Sequence, residues 1–418
     1  MKKKNKAMPP LNDTDKGNPQ SRYHNEEIHL DIPEDEIWTY QVPGLAAPHI
    51  GKPYKHFGLK KAVFIITIVI AVVLSCYFSI LAIANKDTFQ YETTDSGDYR
   101  LSKFSNTGEM TELSIDYVTT VEYDQITKEY VFTKDESKKV TEIREYSLNC
   151  DDKIKTIYIG ADVEVIQSKA FYSCWALENI EVDENNPYYC DIDGVLYNKE
   201  QTVLINYPCN HDEYLRKKYG YEQEMYRDDV TAQYRRDIQT YVVPSTVIIL
   251  DELCFSYVNL RDIYLPEGLE RMETLSVFKL HEPKDQWGNT PSLEYIFTYR
   301  TDNVVSDTKF NGPESLGVIY ESLPEGLKYI GSDALSYNQT LTYIYIPESV
   351  TEIGHHAFWD NVYKEDGNLC GVTQINVARS EDDFKANVKT GDSWRPQYDY
   401  MLFKKSVDVV YSAQRNIP

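Results

Sequence analysis

The sequence predicts a β-rich repeat solenoid of short parallel strands, interrupted by inserts and carried on a single transmembrane helix. Three observations predict it. Val140, Ile143, Ile154, Ile157 and Ile159 recur 23 residues later as Val163, Ile166, Leu177, Ile180 and Val182. Leu327, Ile330, Ala334 and Leu335 recur, again 23 residues later, as Val350, Ile353, Ala357 and Phe358. A fixed period of roughly 20–50 residues marks stacked units, none of which buries its apolar face without its neighbours. Finally, the run from Ala62 to Ala84 carries no charge. As a helix it spans about 34 Å, enough for a hydrocarbon core of about 30 Å.

Residues 1–61 hold 10 Lys and Arg against 8 Asp and Glu and show little periodicity, so a mostly disordered tail is expected. Within it, Ile28, Leu30, Ile32, Ile37, Trp38 and Tyr40 gather apolar and aromatic side chains among acids. That segment reads either as a docking peptide for a cytosolic partner or as a stretch resting near the bilayer. Lys52, Lys55, Lys60 and Lys61 precede the apolar run of 62–84, whereas Lys86 and Asp87 after it cancel. The positive-inside rule puts the N-terminus in the cytoplasm and residues 85–418 outside a plasma membrane. Ala82-Ile83-Ala84 has the shape of a signal-peptidase site and Leu74-Ser75-Cys76 that of a lipobox. A 61-residue leader and the uncharged stretch beyond the Cys favour an uncleaved anchor. Past residue 61 the chain holds 33 Lys and Arg against 58 Asp and Glu. That excess repels nucleic acid; it serves solubility, a basic partner or bound cations.

Short alternating stretches from 85 to 139 predict a β-rich N-terminal cap, because a solenoid needs its first open edge covered. Repeats then run from 140 to 377, with inserts at 183–246, 281–290 and 299–322. In the first insert, Asp193-Gly194 leads into a hairpin with arms Val195–Tyr197 and Val203–Ile205 around a loop at Asn198–Gln201. A Tyr-rich stretch from 210 to 239 is expected to be helical. Residues 378–418 lack the pattern and are expected to form the second cap.

The stretches VEVIQSKAFYSCWALENIEV, LKYIGSDALSYNQTLTYIYIP and VTEIGHHAFWDN resemble BspA-type leucine-rich repeats, over Val140 to Val377. The hairpin DGVLYNKEQTVLINYP is similar to an excursion in such proteins. The resemblance implies a right-handed solenoid on bacterial or protist cell surfaces, linked to adhesion or host-protein binding. The expected Gly after the second anchor is missing at Gln167 and Asp251, and the Ala-Phe step is Ser147-Leu148 and Cys254-Phe255. These departures argue against a smooth horseshoe.

In the L-x-x-I-x-L strand, alternation turns one residue per rung outward. Those residues are Tyr158, Glu181, Tyr264, Phe297, Tyr345 and Asn376, with Tyr295 and Tyr343 in the row beside them. Rungs about 4.8 Å apart would align them into an aromatic stripe. Tyrosine is frequent, at 35 of 418 residues, and offers wide amphipathic contact at low entropic cost. The stripe is either a partner-binding face or a ladder that stabilises the strands. Cys190 and Cys209 lie symmetrically about the Asn198–Gln201 loop and are a candidate disulfide. Cys150 and Cys174, 24 apart, are either a second pair or buried thiols. His355-His356 has no third ligand spaced for zinc, and Asp191-x-Asp193-Gly194 lacks the Glu that closes a calcium loop. Asn338-Gln339-Thr340 is a formal glycosylation sequon. With no phosphate loop or nucleophile elbow, no catalytic residue, metal or cofactor is assigned.

The expectation is a non-catalytic surface protein that binds an extracellular protein or glycan. The alternative is an envelope assembly or signalling subunit whose tail grips a cytosolic partner. A surface hydrolase is a third reading with no motif behind it.

Overall fold

The computed structural model divides the chain into two compact units, Met1–Val72 and Val73–Pro418. It describes residue 70 and residues 88–415, except 107–109, 125, 149–151, 173, 222–230, 279–292, 302–312, 366–367 and 401–402. The expected docking peptide and the apolar run of 62–84 thus lie outside the described residues, Ile70 aside, as do Cys150 and the 281–290 insert. Among the described residues no helix is long and apolar enough to cross a membrane. The repeats lie in the second unit.

Each regular rung has three sides, along which neighbouring rungs are hydrogen-bonded. The first is a two-residue strand ending on the second apolar anchor. Ile249–Leu250, Arg271–Met272, Tyr329–Ile330, Glu352–Ile353 and Lys389–Thr390 pair successively in parallel and in register. The second side is a turn through the Ala-Phe step. The third is the longer strand, which places Ile157 beside Ile180, Ile263 beside Ile296 and Ile344 beside Ile375. The leading anchors Val140, Val163, Val247, Leu269, Leu327 and Val350 are all 0% exposed. Such burial contributes about 1.5–3 kcal/mol per side chain, and only stacking supplies it.

The turn side carries a repeated feature with no residue-type signature. The residue before the small anchor is left-handed in successive rungs: Tyr146 (φ 56°), Lys169 (65°), Leu253 (63°), Leu275 (57°), Asp333 (53°) and His356 (51°). None is glycine, so each costs about 1–2 kcal/mol of backbone strain. The turns lean on their neighbours in compensation. The Leu275 and Asp333 N–H groups donate across to the Ser332 and His355 carbonyls at 2.9 and 2.8 Å. Two residues on, the Val277 and Leu335 N–H groups donate to Ala334 and Ala357 at 2.8 and 2.9 Å. Gly354, just before this turn, leaves no room for a side chain. A Cβ there would lie 2.6 Å from the Gly331 carbonyl carbon of the preceding rung.

The middle of the chain differs from the sequence expectation. Residues 183–246 contain a modified rung of the stack. Val203–Asn206 pairs in parallel with Ile249–Leu250, and Thr240–Val242 pairs in parallel with Asp262–Pro266. Helices α1 (His211–Tyr219) and α2 (Ala232–Ile238) stand where that rung's turn would be. The Gly220 N–H closes α1 from a left-handed C-cap, and the Thr231 side chain caps α2 by accepting from the Tyr234 N–H. The hairpin also begins earlier than expected. Tyr189–Ile192 pairs with Val195–Asn198 around Asp193-Gly194, whose φ values of 54° and 83° are those of a type I′ turn. Three antiparallel strands result, and alternation drives the central one into both sides. Leu196 packs into the N-terminal core, and Val195 and Tyr197 into the C-terminal one; all three are 0% exposed.

The two ends are also made of rungs. Tyr99–Ser105 pairs in parallel with the end of Glu129–Ile143, and Glu112–Ile115 with Thr156–Ile159, so the stack starts ahead of Val140. Thr88–Thr93 and the ribbon Tyr117–Asp124 complete that end by antiparallel pairing. Beyond 377, α3 (Glu381–Asn387) leads into Lys389–Thr390, and Lys389–Thr390 and Asp408–Tyr411 continue two of the sides. Ser380 caps α3, its hydroxyl accepting from the Asp383 N–H at 3.3 Å.

Candidate binding faces

The long strands present the expected column, but in three separate sheets and partly under cover. Tyr158 lies beside Glu181, Tyr264 beside Phe297 and Tyr345 beside Asn376. Tyr264 stacks on Phe297 at 4.8 Å between ring centres, and Tyr295 on Phe297 at 5.4 Å. The Arg235 guanidinium from α2 sits 5.7 Å over Tyr295 and bonds Asp262 through two nitrogens, each at 2.6 Å. The Tyr158 hydroxyl donates to Asp183 at 2.5 Å, and that carboxylate pushes the phenol up to about 12.

Tyr264 and Tyr345 are only 6% and 4% exposed. Part of the 299–322 insert folds back onto the sheet. Val318–Tyr320 pairs antiparallel with Tyr295–Arg300, and Leu316 joins Tyr264, Tyr299 and Val242 in a small apolar cluster. Near the other end of the chain, Arg415 grips Glu267 at 3.0 and 3.2 Å, donates to the Ser322 hydroxyl and lies 3.8 Å over the Tyr320 ring. Alternation placed these aromatics on the outer face of the rung, and the chain itself then covers them, as exposed aromatic area would otherwise cost. Burial pushes the Tyr264 and Tyr345 phenols up. Of the expected face, Glu181 is exposed, Tyr295 is 38% exposed, and Tyr158, Phe297 and Tyr343 are half-buried.

The cysteine pairing fails. Cys190 faces Tyr197 across the Asp193-Gly194 turn, so it lies on the first strand of the meander rather than on an arm opposite Cys209. The two thiols are not joined to each other: Cys190 donates to the Asn198 carbonyl at 3.4 Å, and Cys209 to the Ser256 carbonyl at 3.5 Å in the next rung. Cys174 is buried and its thiol donates to the Leu148 carbonyl at 3.2 Å. The other motifs are absorbed locally. Asp191 accepts from the Val182 N–H at 2.9 Å, and Asp193 from the Tyr214 hydroxyl at 3.2 Å. Asn338 of the sequon is 2% exposed, and its amide donates to the Val277 and Leu335 carbonyls at 2.9 and 3.0 Å. Among the described residues no three His, Cys, Asp or Glu converge as metal ligands.

The turn side holds a row that the strand periodicity does not reveal. Tyr146 and Tyr172 meet edge to face at 5.8 Å, Tyr172 and Tyr257 at 6.2 Å, and Trp175 and Tyr257 at 4.3 Å. Phe278 continues it from Tyr257 at 6.0 Å and Tyr337 from Phe278 at 5.4 Å. Tyr146 is 44% and Trp175 38% exposed, so the row opens to solvent at its N-terminal end. The signal was present: Tyr172, Tyr257, Phe278 and Tyr337 each follow the large turn anchor by one or two residues.

Residues 100–209 and 231–364 match the BspA type leucine-rich-repeat region, in six copies. Among solved structures, a leucine-rich-repeat protein from Eubacterium ventriosum is 18% identical, with a TM-score of 0.34, over 62% of this chain and 60% of that one. The pneumococcal vaccine antigen PcpA is 17% identical, with a TM-score of 0.31, over 68% of this chain and 64% of that one. A leucine-rich cell surface protein from Faecalibacterium prausnitzii is 17% identical, with a TM-score of 0.30, over 72% of this chain and 96% of that one. The chain therefore spans less than two thirds of the first two. No curated relative matches it.

Proposed function

The chain belongs to the BspA-type leucine-rich-repeat family, and from that premise we propose a membrane-anchored protein that binds a protein or glycan outside the cell, without catalysis. The observation that carries this reading is the row of Tyr146, Tyr172, Trp175 and Tyr257, in which Tyr146 and Trp175 stand 44% and 38% exposed on the repeat stack. Tyr and Trp present wide contact area with few rotors to freeze, which suits them to recognition. The uncharged run of 62–84 supports the anchor, and Lys52, Lys55, Lys60 and Lys61 support a cytoplasmic N-terminus.

The test displays the full chain on cells and cross-links it to its neighbours. Tyr146→Ser, Trp175→Ser and Tyr337→Ser together should abolish the captured species while leaving the melting temperature within a few degrees. Unchanged capture by this folded variant would sink the assignment of the row. A second reading, a cytosolic docking role, is favoured by the cluster of Ile28, Leu30, Ile32, Ile37, Trp38 and Tyr40 among acids. A pull-down with that tail segment separates the two.

A further inference from the structure

Where α1 and α2 replace a turn, the ladder on the turn side is left partly open, with only the Tyr207 N–H reaching the next turn, at the Cys254 carbonyl 2.8 Å away. Tyr146 and Leu148 donate across to the Lys169 and Ala170 carbonyls at 3.1 and 3.3 Å, and Leu253 and Phe255 donate onward to Thr274 and Ser276. Lys169 and Phe171, which occupy the same places in their own rung, make no such bond, and no described residue accepts from their N–H groups. Across the gap, the Glu252 carbonyl corresponds to those of Thr274, Ser332 and His355, each of which accepts from the preceding turn. Glu252 accepts from none among the described residues. Between these walls lies a narrow cleft, part of it open to solvent, which the Lys169–Glu252 ion pair crosses at 2.9 Å and which an incoming ligand has to widen. Its floor holds Asn206, whose buried Oδ1 has no hydrogen-bond partner, and its apolar wall is made by Ile166, Ile205 and Leu253. The Tyr172 and Tyr257 hydroxyls, 3.3 Å apart, meet beside it.

We propose that this slot binds an extended peptide segment of a partner protein, which takes the place of the missing turn. Its carbonyls accept from the Lys169 and Phe171 N–H groups, one of its N–H groups donates to the Glu252 carbonyl, and a peptide group pairs with the Asn206 amide. The two walls are an unpaired backbone ladder with donors two residues apart, and a peptide backbone is the chemistry that completes one. The apolar wall calls for a non-polar side chain. A saccharide would meet the polar groups but would not match the ladder spacing. This inference rests on the reading of the protein as a binding protein, and the two can fail separately, because the row is tested at Tyr146, Trp175 and Tyr337, none of which lines the slot.

The probe is a library of random heptapeptides on phage, panned over the full chain in detergent micelles, with the Asn206→Leu variant as counter-selection. A synthetic peptide from the winners should lose at least tenfold in affinity for Asn206→Leu. In the wild-type chain it should slow amide exchange at Lys169 and Phe171 by at least tenfold. The exchange measurement needs no variant and decides the matter if Asn206→Leu fails to fold. The proposal is overturned if no peptide is enriched, or if bound peptides leave those two amides exchanging freely. It is equally overturned if oligosaccharides protect them and peptides do not, or if they are already protected in the free chain by its own residues.

Discussion

A single methyl group is enough to measure how closely the rungs approach. At Gly354 it would press on the backbone of Gly331 and Ser332, which cannot swing aside as a side chain would. Gly354→Ala should therefore cost about 1–3 kcal/mol, read as a lowered urea midpoint. Gly268 has nothing within 4 Å of such a methyl, and Gly268→Ala should be close to neutral in the same assay. His211 tests a different force. It is 2% exposed, and burial pulls its imidazole down from 6.5 to about 4, against a smaller opposing effect of the Glu178 carbonyl 2.8 Å from Nδ1. The unfolded chain takes up a proton near pH 6.5 that the folded chain refuses until about pH 4. Its contribution is thus complete above pH 6.5 and is lost as pH falls towards 4, by up to about 3 kcal/mol. In His211→Gln, the difference between urea-derived stabilities at pH 7 and pH 5 should shrink. An unchanged difference would mean that the ring is protonated in the folded protein.

At the scale of elements, what the sequence disclosed depended on whether a residue type marked the position. The anchors at Val140–Val182 and Leu327–Phe358 were legible because every rung needs an apolar side chain at the same buried point. The left-handed turn position was illegible, since Tyr, Lys, Leu, Asp and His occupy it in turn. The rung within 183–246 was hidden because a hairpin stands in for its first side and two helices for its turn. The cysteine pairing went astray for a related reason. The symmetry of Cys190 and Cys209 about Asn198–Gln201 ignored the tighter turn at Asp193-Gly194, which gives Cys190 another partner strand. The aromatic column was legible as outward-facing, but alternation within a strand says nothing of what a distant segment lays over it. That cover can be tested. Tyrosine nitration read by mass spectrometry should modify Tyr146 and Tyr295 well before Tyr264 and Tyr345. Arg415→Ala removes the clamp on Glu267 and Tyr320 and should raise modification of Tyr345 several-fold. Equal rates for all four tyrosines in the unaltered chain would mean that the column is open.

At the scale of the whole repeat unit, the period implies one continuous core, yet the structure builds two, with the strand Val195–Asn198 between them. Leu101, Ile143, Ile157 and Ile180 belong to one core, and Val247, Ile263, Ile330 and Ile353 to the other. Repeat stacks owe their cooperativity to interfaces between neighbours, so the weakest interface decides whether they unfold together. Here that interface is the meander of Tyr189–Ile192, Val195–Asn198 and Val203–Asn206, whose central strand alternates its side chains between the two cores. Tyr197 is fastened on the C-terminal side by a hydrogen bond between its hydroxyl and that of Tyr241, whereas Leu196 holds the N-terminal side by packing alone. Leu196→Ala should remove about 2–5 kcal/mol, and the loss should fall on the N-terminal core. Unfolding should then split into two transitions, with amides of residues 101–182 exchanging before those of residues 247–377. A variant that still unfolds in one step, with uniform loss of protection, would show that the septum couples the two cores through its backbone rather than through Leu196.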